Sequence, residues 1–245
     1  MPASLHKLLV VVPALNEEQS VGAVVRGVRS AVPAADCLVV DDGSSDATAD
    51  RARAAGAEVA SLPFNLGVGG AMRTGFRYAR DRGYDVVVQV DADGQHDTRY
   101  IPQLVAGLAN ADIMIGARFA GVGDYGVRGP RRWAMRFLAR AVSAVARRPL
   151  TDVTSGFKAT GPRGVELFAR TYPAEYLGDT IEALVIAARA GLRLDQLPVE
   201  MNPRQAGAPS HRAARATVYL VRACVAFLLA LLRPRVKLDP DKAPA

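Results

Sequence analysis

Short apolar runs alternate with longer amphipathic stretches through the first half of the chain, and this rhythm constrains the fold more than any other feature of the sequence. The runs at Leu8–Val12, Cys37–Val40, Glu58–Ser61, Asp85–Val90 and Asp112–Gly116 have strand length, and most are built from valine, leucine and isoleucine. Between them lie helix-like stretches near Glu17–Ala31, Asp46–Ala55, Gly70–Arg82 and Thr98–Ala109. Strands alternating with helices predict an α/β domain with a mostly parallel central sheet flanked by helices. Open sheets of this kind bind ligands outside the carboxyl ends of their strands. Polar residues gather at those ends: Asn16 and Glu17 after the first run, Asp41 and Asp42 after the second, Asp91 and Asp93 after the fourth.

The second half is less regular. It offers a basic helix near Arg131–Arg148, a Thr-Ser-Gly-Phe turn at Thr154–Phe157, a helix near Thr180–Ala190, and a strand pair at Arg193–Leu197 and Val199–Asn202. Pro203–Pro209 reads as a connector and Arg212–Arg233 as a terminal helix. With 245 residues, half of them hydrophobic, the chain can bury one full core. The expected division is a single large domain over 1–210, followed by an amphipathic helix and short tail over 211–245. Two cysteines far apart, Cys37 and Cys224, each in an apolar run, argue for a reducing compartment and against a disulfide framework. Leu8–Val12 is too short for a signal-peptide core or a membrane span.

The formal charge of +7 is unevenly placed. Arg118 to Arg148 holds eight arginines against Asp124 alone, and Pro203 to Ala245 holds eight basic residues against Asp239 and Asp241, so the remainder is net acidic. Such zones meet anionic lipid or phosphorylated substrates. Without a groove-reading motif or interleaved aromatics, nucleic acid is not an expected partner.

Chemistry concentrates at Val86-Val87-Val88-Gln89-Val90-Asp91-Ala92-Asp93-Gly94-Gln95-His96. An apolar strand delivers two carboxylates one residue apart, with an amide two positions on. Hard cations such as Mg²⁺ or Mn²⁺ take oxygen ligands, commonly one or two carboxylates completed by substrate phosphates. The same residues also suit a turn that caps the next helix. A second acidic pair, Asp41-Asp42, precedes Gly43-Ser44-Ser45-Asp46; Asp42 suits a ribose or nucleobase, and Asp46 a helix cap. Pro13-Ala14-Leu15-Asn16-Glu17 reads equally as a helix start with acids in its first turn. Asn65-Leu66-Gly67-Val68-Gly69-Gly70 is glycine-rich but fits neither a P-loop nor a dinucleotide fingerprint.

Together these motifs, in this order from about Leu8 to His211, resemble the family 2 glycosyltransferases of GT-A fold, and among them the polyprenyl-phosphate sugar synthases of the dolichyl-phosphate mannose synthase type. The resemblance implies metal-dependent, inverting transfer of a sugar from a nucleotide-sugar donor to a polyprenyl monophosphate. It implies that Pro13, Ala14, Asn16, Glu17, Asp42, Asn65, Gly70, Asp91 and Ala92 line the donor site, and that Asp91, Asp93 and Gln95 address Mg²⁺ or Mn²⁺. It makes Asp93, Arg118, Arg131 and Arg204 the residues of catalysis, the arginines holding the acceptor phosphate; Arg128 or Arg132 are alternatives to Arg131. An acceptor that is already an oxyanion needs no base. A hydroxyl acceptor does, and Asp179 or Glu182 in Gly178-Asp-Thr-Ile-Glu182 is placed to supply one, unless the pair merely opens a helix. His96 is either a substrate contact or a polar packing residue. A third alternative is a non-catalytic nucleotide-sugar-binding protein.

Two departures from the family stand out. His211 and Arg212 follow Pro209-Ser210, where the family often has a lysine, and no multi-helix membrane domain follows. At about 100° per residue, Arg215, Arg222 and Arg233 share one narrow stripe of the terminal helix, with Val218, Val225, Leu228, Leu229 and Leu232 elsewhere. This pattern predicts an interfacial helix on the cytoplasmic face of a membrane, without a span. Packing on the main domain, a homodimer contact, or contact with a small membrane partner protein are the alternatives.

Overall fold

The computed structural model describes residues 7–118, 130–173, 179–202, 225, 227–234 and 236; the side chains of 130–134 and 179 fall outside that description. Seven strands form one sheet: β1 (Leu8–Ala14), β2 (Asp36–Asp41), β3 (Glu58–Ser61), β4 (Val86–Gln89), β5 (Ile113–Ala117), β6 (Lys158–Thr160) and β7 (Leu194–Pro198). Their spatial order is β3-β2-β1-β4-β6-β5-β7. All neighbouring pairs are parallel except those of β6, which runs antiparallel to both β4 and β5. The helices are α1 (Val21–Ala31), α2 (Thr48–Ala54), α3 (Gly67–Asp81), α4 (Ile101–Gly107), α5 (Pro130–Ala146), α6 (Pro162–Thr171) and α7 (Asp179–Arg189).

Alternate residues of the central strands enter two different cores, as a sheet covered on both faces requires. Leu9 and Val11 of β1 join Leu38 and Val40 of β2 under α3, α6 and α7, whereas Val10, Val12, Cys37 and Val39 face α1 and α4. Gly75 allows α3 to lie close to β1, since a Cβ there would meet Val11 Cγ1 at 2.5 Å. Burial of the Cys37 thiol pushes its pKa up to about 12, so this cysteine acts as a small apolar side chain.

The structure departs from the sequence reading at four places. Helix α1 begins at Val21 rather than Glu17, because Asn16 adopts a left-handed φ of 55° and residues 17–20 form a turn. Strand β6 and helix α6 follow the Thr-Ser-Gly-Phe turn, where no elements were expected. Strand β6 is only three residues long and includes a buried lysine, so it carries no apolar run. The expected strand pair before the connector is one strand, β7, plus a single antiparallel bridge between Met201 and His96. Finally, the Arg233 guanidinium, expected to face lipid headgroups, lies 2.9 Å from the buried Glu182 carboxylate; Arg215 and Arg222, the other members of the expected stripe, lie outside the described residues. Among the described residues no helix is long and apolar enough to cross a membrane.

Candidate active site

Because β1, β2, β4 and β5 run parallel, their carboxyl ends share one edge of the sheet, and the loops leaving them meet there. The first two loops are stitched by Asn16, whose N–H donates to Ser44 Oγ (2.9 Å) and whose Oδ1 accepts from the Ser45 N–H (2.9 Å). The Glu17 N–H donates to Thr48 Oγ1 at 2.8 Å, while its carboxylate accepts from the Ser20 hydroxyl at 2.8 Å. Pro13 and Ala14 are buried at the end of β1, and the Ala14 carbonyl accepts from the Asp42 N–H at 2.8 Å. Asp46 accepts from the Thr48 and Glu18 amides but precedes the N-cap of α2, which is Ala47 rather than the expected Asp46.

Asp42 grips the glycine-rich segment. Its two carboxylate oxygens accept from the backbone N–H groups of Leu66 (2.7 Å) and Gly67 (2.8 Å), which open α3. Burial pushes the Asp42 carboxyl above the usual range, and the two amides pull it back only in part. Asn65 Oδ1 shares the Gly67 N–H at 2.8 Å. Two glycines make this approach possible: at Gly43 (φ 77°) a Cβ would lie 2.9 Å from the Phe64 carbonyl carbon, and at Gly70 it would lie 2.4 Å from Leu66 Cβ.

The metal-motif candidates follow β4. Asp91 is half-buried, with 39% of its side chain exposed, while Ala92 and Asp93 are buried. Gln89, the polar residue of an otherwise apolar strand, donates from Nε2 to Asp91 Oδ1 at 3.2 Å. Behind it, His96 Nδ1 accepts from the Asp91 N–H at 2.9 Å, which puts the proton of the neutral ring on Nε2, 3.6 Å from Asp91 Oδ2. His96 is buried and stacked on Phe157, with ring centroids 4.8 Å apart; burial holds its pKa below the usual value against the pull of Asp91 and Asp93. It supports Asp91 from within. The Gln95 N–H donates to Asp93 Oδ1 (3.0 Å), and the Gln95 carbonyl accepts from the Asn202 N–H (2.9 Å), strapping this turn to the chain that leaves β7.

The Thr-Ser-Gly-Phe turn lies against the same carboxylate. A Cβ at Gly156 would stand 2.9 and 3.0 Å from the Asp91 oxygens and 3.1 Å from Gln89 Nε2. Sequence reasoning missed Gln89 and Gly156 as parts of the site; a glutamine inside an apolar run was the available signal. These groups fit a hard divalent cation: two carboxylates on one turn, one of them partly open, with oxygen donors only. Among the described residues no group of three or more His, Cys, Asp and Glu residues is placed to hold a metal by itself. Two carboxylates completed by donor phosphates is the arrangement Mg²⁺ commonly takes.

Arg118, directly after β5, forms a fork with Asp152: Nε to Oδ2 at 2.7 Å and Nη2 to Oδ1 at 3.0 Å, with Nη2 also donating to Thr154 Oγ1 at 2.8 Å. Burial pushes the Asp152 carboxyl up, but the hydrogen bonds and charge of Arg118, with help from Thr154, hold it below the ordinary range. Glu182 lies on α7, 3% exposed and paired with Arg233. Arg204 and the side chains of Arg131 and Asp179 lie outside the described residues, as do Arg128, His211, Arg215 and Arg222.

A parallel sheet with one inserted antiparallel strand, and acids gathered at its carboxyl edge, define a GT-A type nucleotide-sugar fold. The chain matches the family model "Glycosyl transferase family 2" over residues 9–162. It belongs to that family and is a glycosyltransferase. It is 33% identical over 214 residues to the undecaprenyl-phosphate mannosyltransferase of Micrococcus luteus, an alignment spanning 82% of this chain and 86% of that one. It is 33% identical over 167 residues to the polyprenol monophosphomannose synthase of Mycolicibacterium smegmatis, covering 63% and 61% of the two chains. The crystal structure of glucosyl-3-phosphoglycerate synthase from Mycobacterium tuberculosis, in complex with Mn²⁺, UDP and phosphoglyceric acid, superposes with a TM-score of 0.70 at 23% identity, over 94% of this chain and 80% of that one. That last likeness is one of fold.

Proposed function

We propose that this glycosyltransferase moves a sugar from a nucleotide-sugar donor to a polyprenyl monophosphate, with inversion at the anomeric carbon and with Mg²⁺ or Mn²⁺ bound. The carrying observation is the similarity, over four-fifths of the chain, to an enzyme named for mannosyl transfer to undecaprenyl phosphate. The donor's nucleoside sits against Pro13, Ala14, Asn16, Glu17 and Asp42, with Asn65, Gly70 and Ala92 completing that wall. Asp91, Asp93 and Gln95 hold the metal, which when bound neutralises charge on the departing nucleoside diphosphate.

A phosphate monoester carries its own nucleophilic oxyanion, so the chain's task is to position it and offset its charge rather than to remove a proton. Arg118, Arg131 and Arg204 take that task. Asp152 fixes the direction of Arg118 and so reduces what must be ordered when the phosphate arrives. The burial of Glu182 against Arg233 supports a reaction in which Glu182 is not the base. A lipid acceptor places the protein on a membrane surface, on the cytoplasmic side where nucleotide sugars are found, and the exposed Leu228, Leu229 and Leu232 support the terminal helix as an anchor.

Incubation with a panel of nucleotide sugars, Mg²⁺ or Mn²⁺ and polyprenyl phosphate, followed by mass spectrometry, tests the reading. A sugar phospholipid formed only with metal present is the expected product. Transfer to hydroxyl acceptors with none to the lipid phosphate overturns the acceptor assignment.

A further inference from the structure

Beyond Arg131 at its start, helix α5 carries a surface that the proposed transfer reaction does not use. The helix and its exit, residues 130–148, contain six arginines and no acidic residue. Leu138, Ala139 and Val142 point into the core, while Arg136, Phe137, Arg140 and Ala144 are exposed. At 100° per residue, those four exposed side chains fall within an arc of about 100° opposite the buried ones. Phe137 is 64% exposed. Arg136, Arg140, Arg147 and Arg148 are all exposed, and none forms an ion pair with a described residue. Elsewhere on this protein surface arginines are commonly paired, as Arg53, Arg80, Arg99, Arg163 and Arg170 are.

The terminal helix supplies the complementary property. Arg189 of α7 donates to the carbonyls of Ala230 (2.5 Å) and Arg233 (2.8 Å), and Glu182 of α7 takes the Arg233 side chain. Ala230 is fully buried, with Phe227 and Leu231 packed on the same core that holds Leu138 and Val142 of α5. This seating turns Val225, Leu228, Leu229 and Leu232 outward, Leu232 at 80% exposed. Of the described residues of this helix, the one arginine, Arg233, is spent on Glu182. Leucines are therefore left open here, and arginines on α5.

We infer that α5 and the terminal helix, both seated on α7, form one footprint for an anionic bilayer, in which α5 supplies the electrostatic attraction and the terminal helix the apolar insertion. Interfacial binding is the sum of those two terms. A second copy of the chain is the poorer occupant, because two-fold pairing of this face would set arginine against arginine. The position serves the chemistry. The excursion that contains α5 leaves the sheet at Arg118 and returns at Asp152, and the Arg118–Asp152 fork closes its base beside the turn that touches Asp91. The inference rests on the acceptor being a lipid phosphate.

The test is co-sedimentation of the full chain with zwitterionic vesicles and with vesicles of about 30% anionic lipid, both free of polyprenyl phosphate. The wild type is expected to bind both and to prefer the anionic ones. Arg136→Glu with Arg140→Glu should weaken binding to anionic vesicles on the order of 100-fold and leave zwitterionic binding nearly unchanged. Leu228→Asp with Leu232→Asp should weaken both. All four side chains are exposed, so both variants should melt with the wild type, and both should still glycosylate detergent-dispersed polyprenyl phosphate. A wild type that ignores vesicles, an arginine variant that binds anionic vesicles normally, or an arginine variant that loses RNA binding rather than vesicle binding each overturns the footprint. Loss of detergent-phase transfer with vesicle binding intact also overturns it, assigning the arginines to the acceptor site. Vesicle binding as expected, with no transfer to any polyprenyl phosphate, leaves the footprint standing and removes the acceptor reading instead.

Discussion

The two halves of the sheet build their share of the site in different ways. On the β1–β4 side, each polar group sits within a few residues of a strand end and is held by neutral groups: Asp42 by the Leu66 and Gly67 amides, Asp93 by the Gln95 amide, Asp91 by the side chains of Gln89 and His96. On the β5–β7 side, the groups are held by pairs distant in sequence, Arg118 with Asp152 and Glu182 with Arg233. The first side rests on hydrogen bonds from neutral groups, so no single substitution there strands a counterion. The second depends on charge pairs whose partners must both be present, so breaking one leaves a buried charge without its counterion.

The largest expected effect tests the local side. Asp93→Asn removes one of two candidate metal carboxylates while keeping its shape, and transfer should fall on the order of 1,000-fold. Melting should change little, because the asparagine Oδ1 still accepts from the Gln95 N–H. Calorimetric titration with Mn²⁺ and nucleoside diphosphate should show the loss directly. Undiminished activity in a chelator would show that this turn is only a cap.

The distant pairs should fail in stability. Asp152→Asn leaves Arg118 with a neutral partner in a largely buried fork, and the expected loss is about 3 kcal/mol, read from denaturant unfolding. The sign with pH follows from the lowered carboxyl pKa of Asp152. Its contribution is full above the unfolded value near about 3.9 and is lost as pH falls through the lower folded value. The wild type should therefore lose stability through that acidic window more steeply than the variant. Parallel curves would mean that the fork contributes nothing to the folded state.

The same contrast decides what was legible in the sequence. The strands of the first side were legible mostly as apolar runs, though not their spatial order, and the acids at their ends could be assigned to one edge because parallel strands share it. Strand β6 was not legible: Lys158-Ala-Thr160 has no apolar alternation, and its place between β4 and β5 is set by pairing with both neighbours. Arg118 was found by resemblance, but no spacing rule joins it to Asp152, thirty-four positions away. Gly156 appeared only as part of a turn, since its closeness to Asp91 is a fact of packing. Glu182 suited a base by residue type, and only the terminal helix, folded back on α7, reveals the Arg233 that occupies it.

Gly156 links the two sides, and its substitution should be a change of activity more than of stability. Gly156→Ala puts a methyl group 2.9 Å from the end of the Asp91 side chain, a part that is free to swing. The expected stability loss is about 1 kcal/mol, while displacement of Asp91 should lower transfer about 10- to 100-fold. Gly161→Ala, whose methyl would meet the Asp112 carbonyl at an ordinary 3.4 Å, is the control and should stay near wild type. Equal effects from both would indicate that the glycines matter only to the backbone.

The smallest expected effect on chemistry comes from Glu182, and it separates two roles that the residue type alone leaves equal. A catalytic base lost to Glu182→Gln should reduce transfer about 100- to 10,000-fold and remove one limb of the pH–rate profile. A helix anchor should do neither. The glutamine keeps an oxygen facing the Arg233 guanidinium, 2.9 Å away in the wild type, so detergent-phase transfer should remain within about 3-fold of wild type. The pH profile should be unchanged. Stability should fall, because the buried pair loses one charge, and cleavage by protease at residues 227–232 should become faster. Arg233→Ala should do the same, and the double variant should cost less than the sum of the two single changes, since both act on one contact. Additive costs would show that the pair is not what holds the terminal helix, and Arg189, through the Ala230 and Arg233 carbonyls, would then be the residue that seats it.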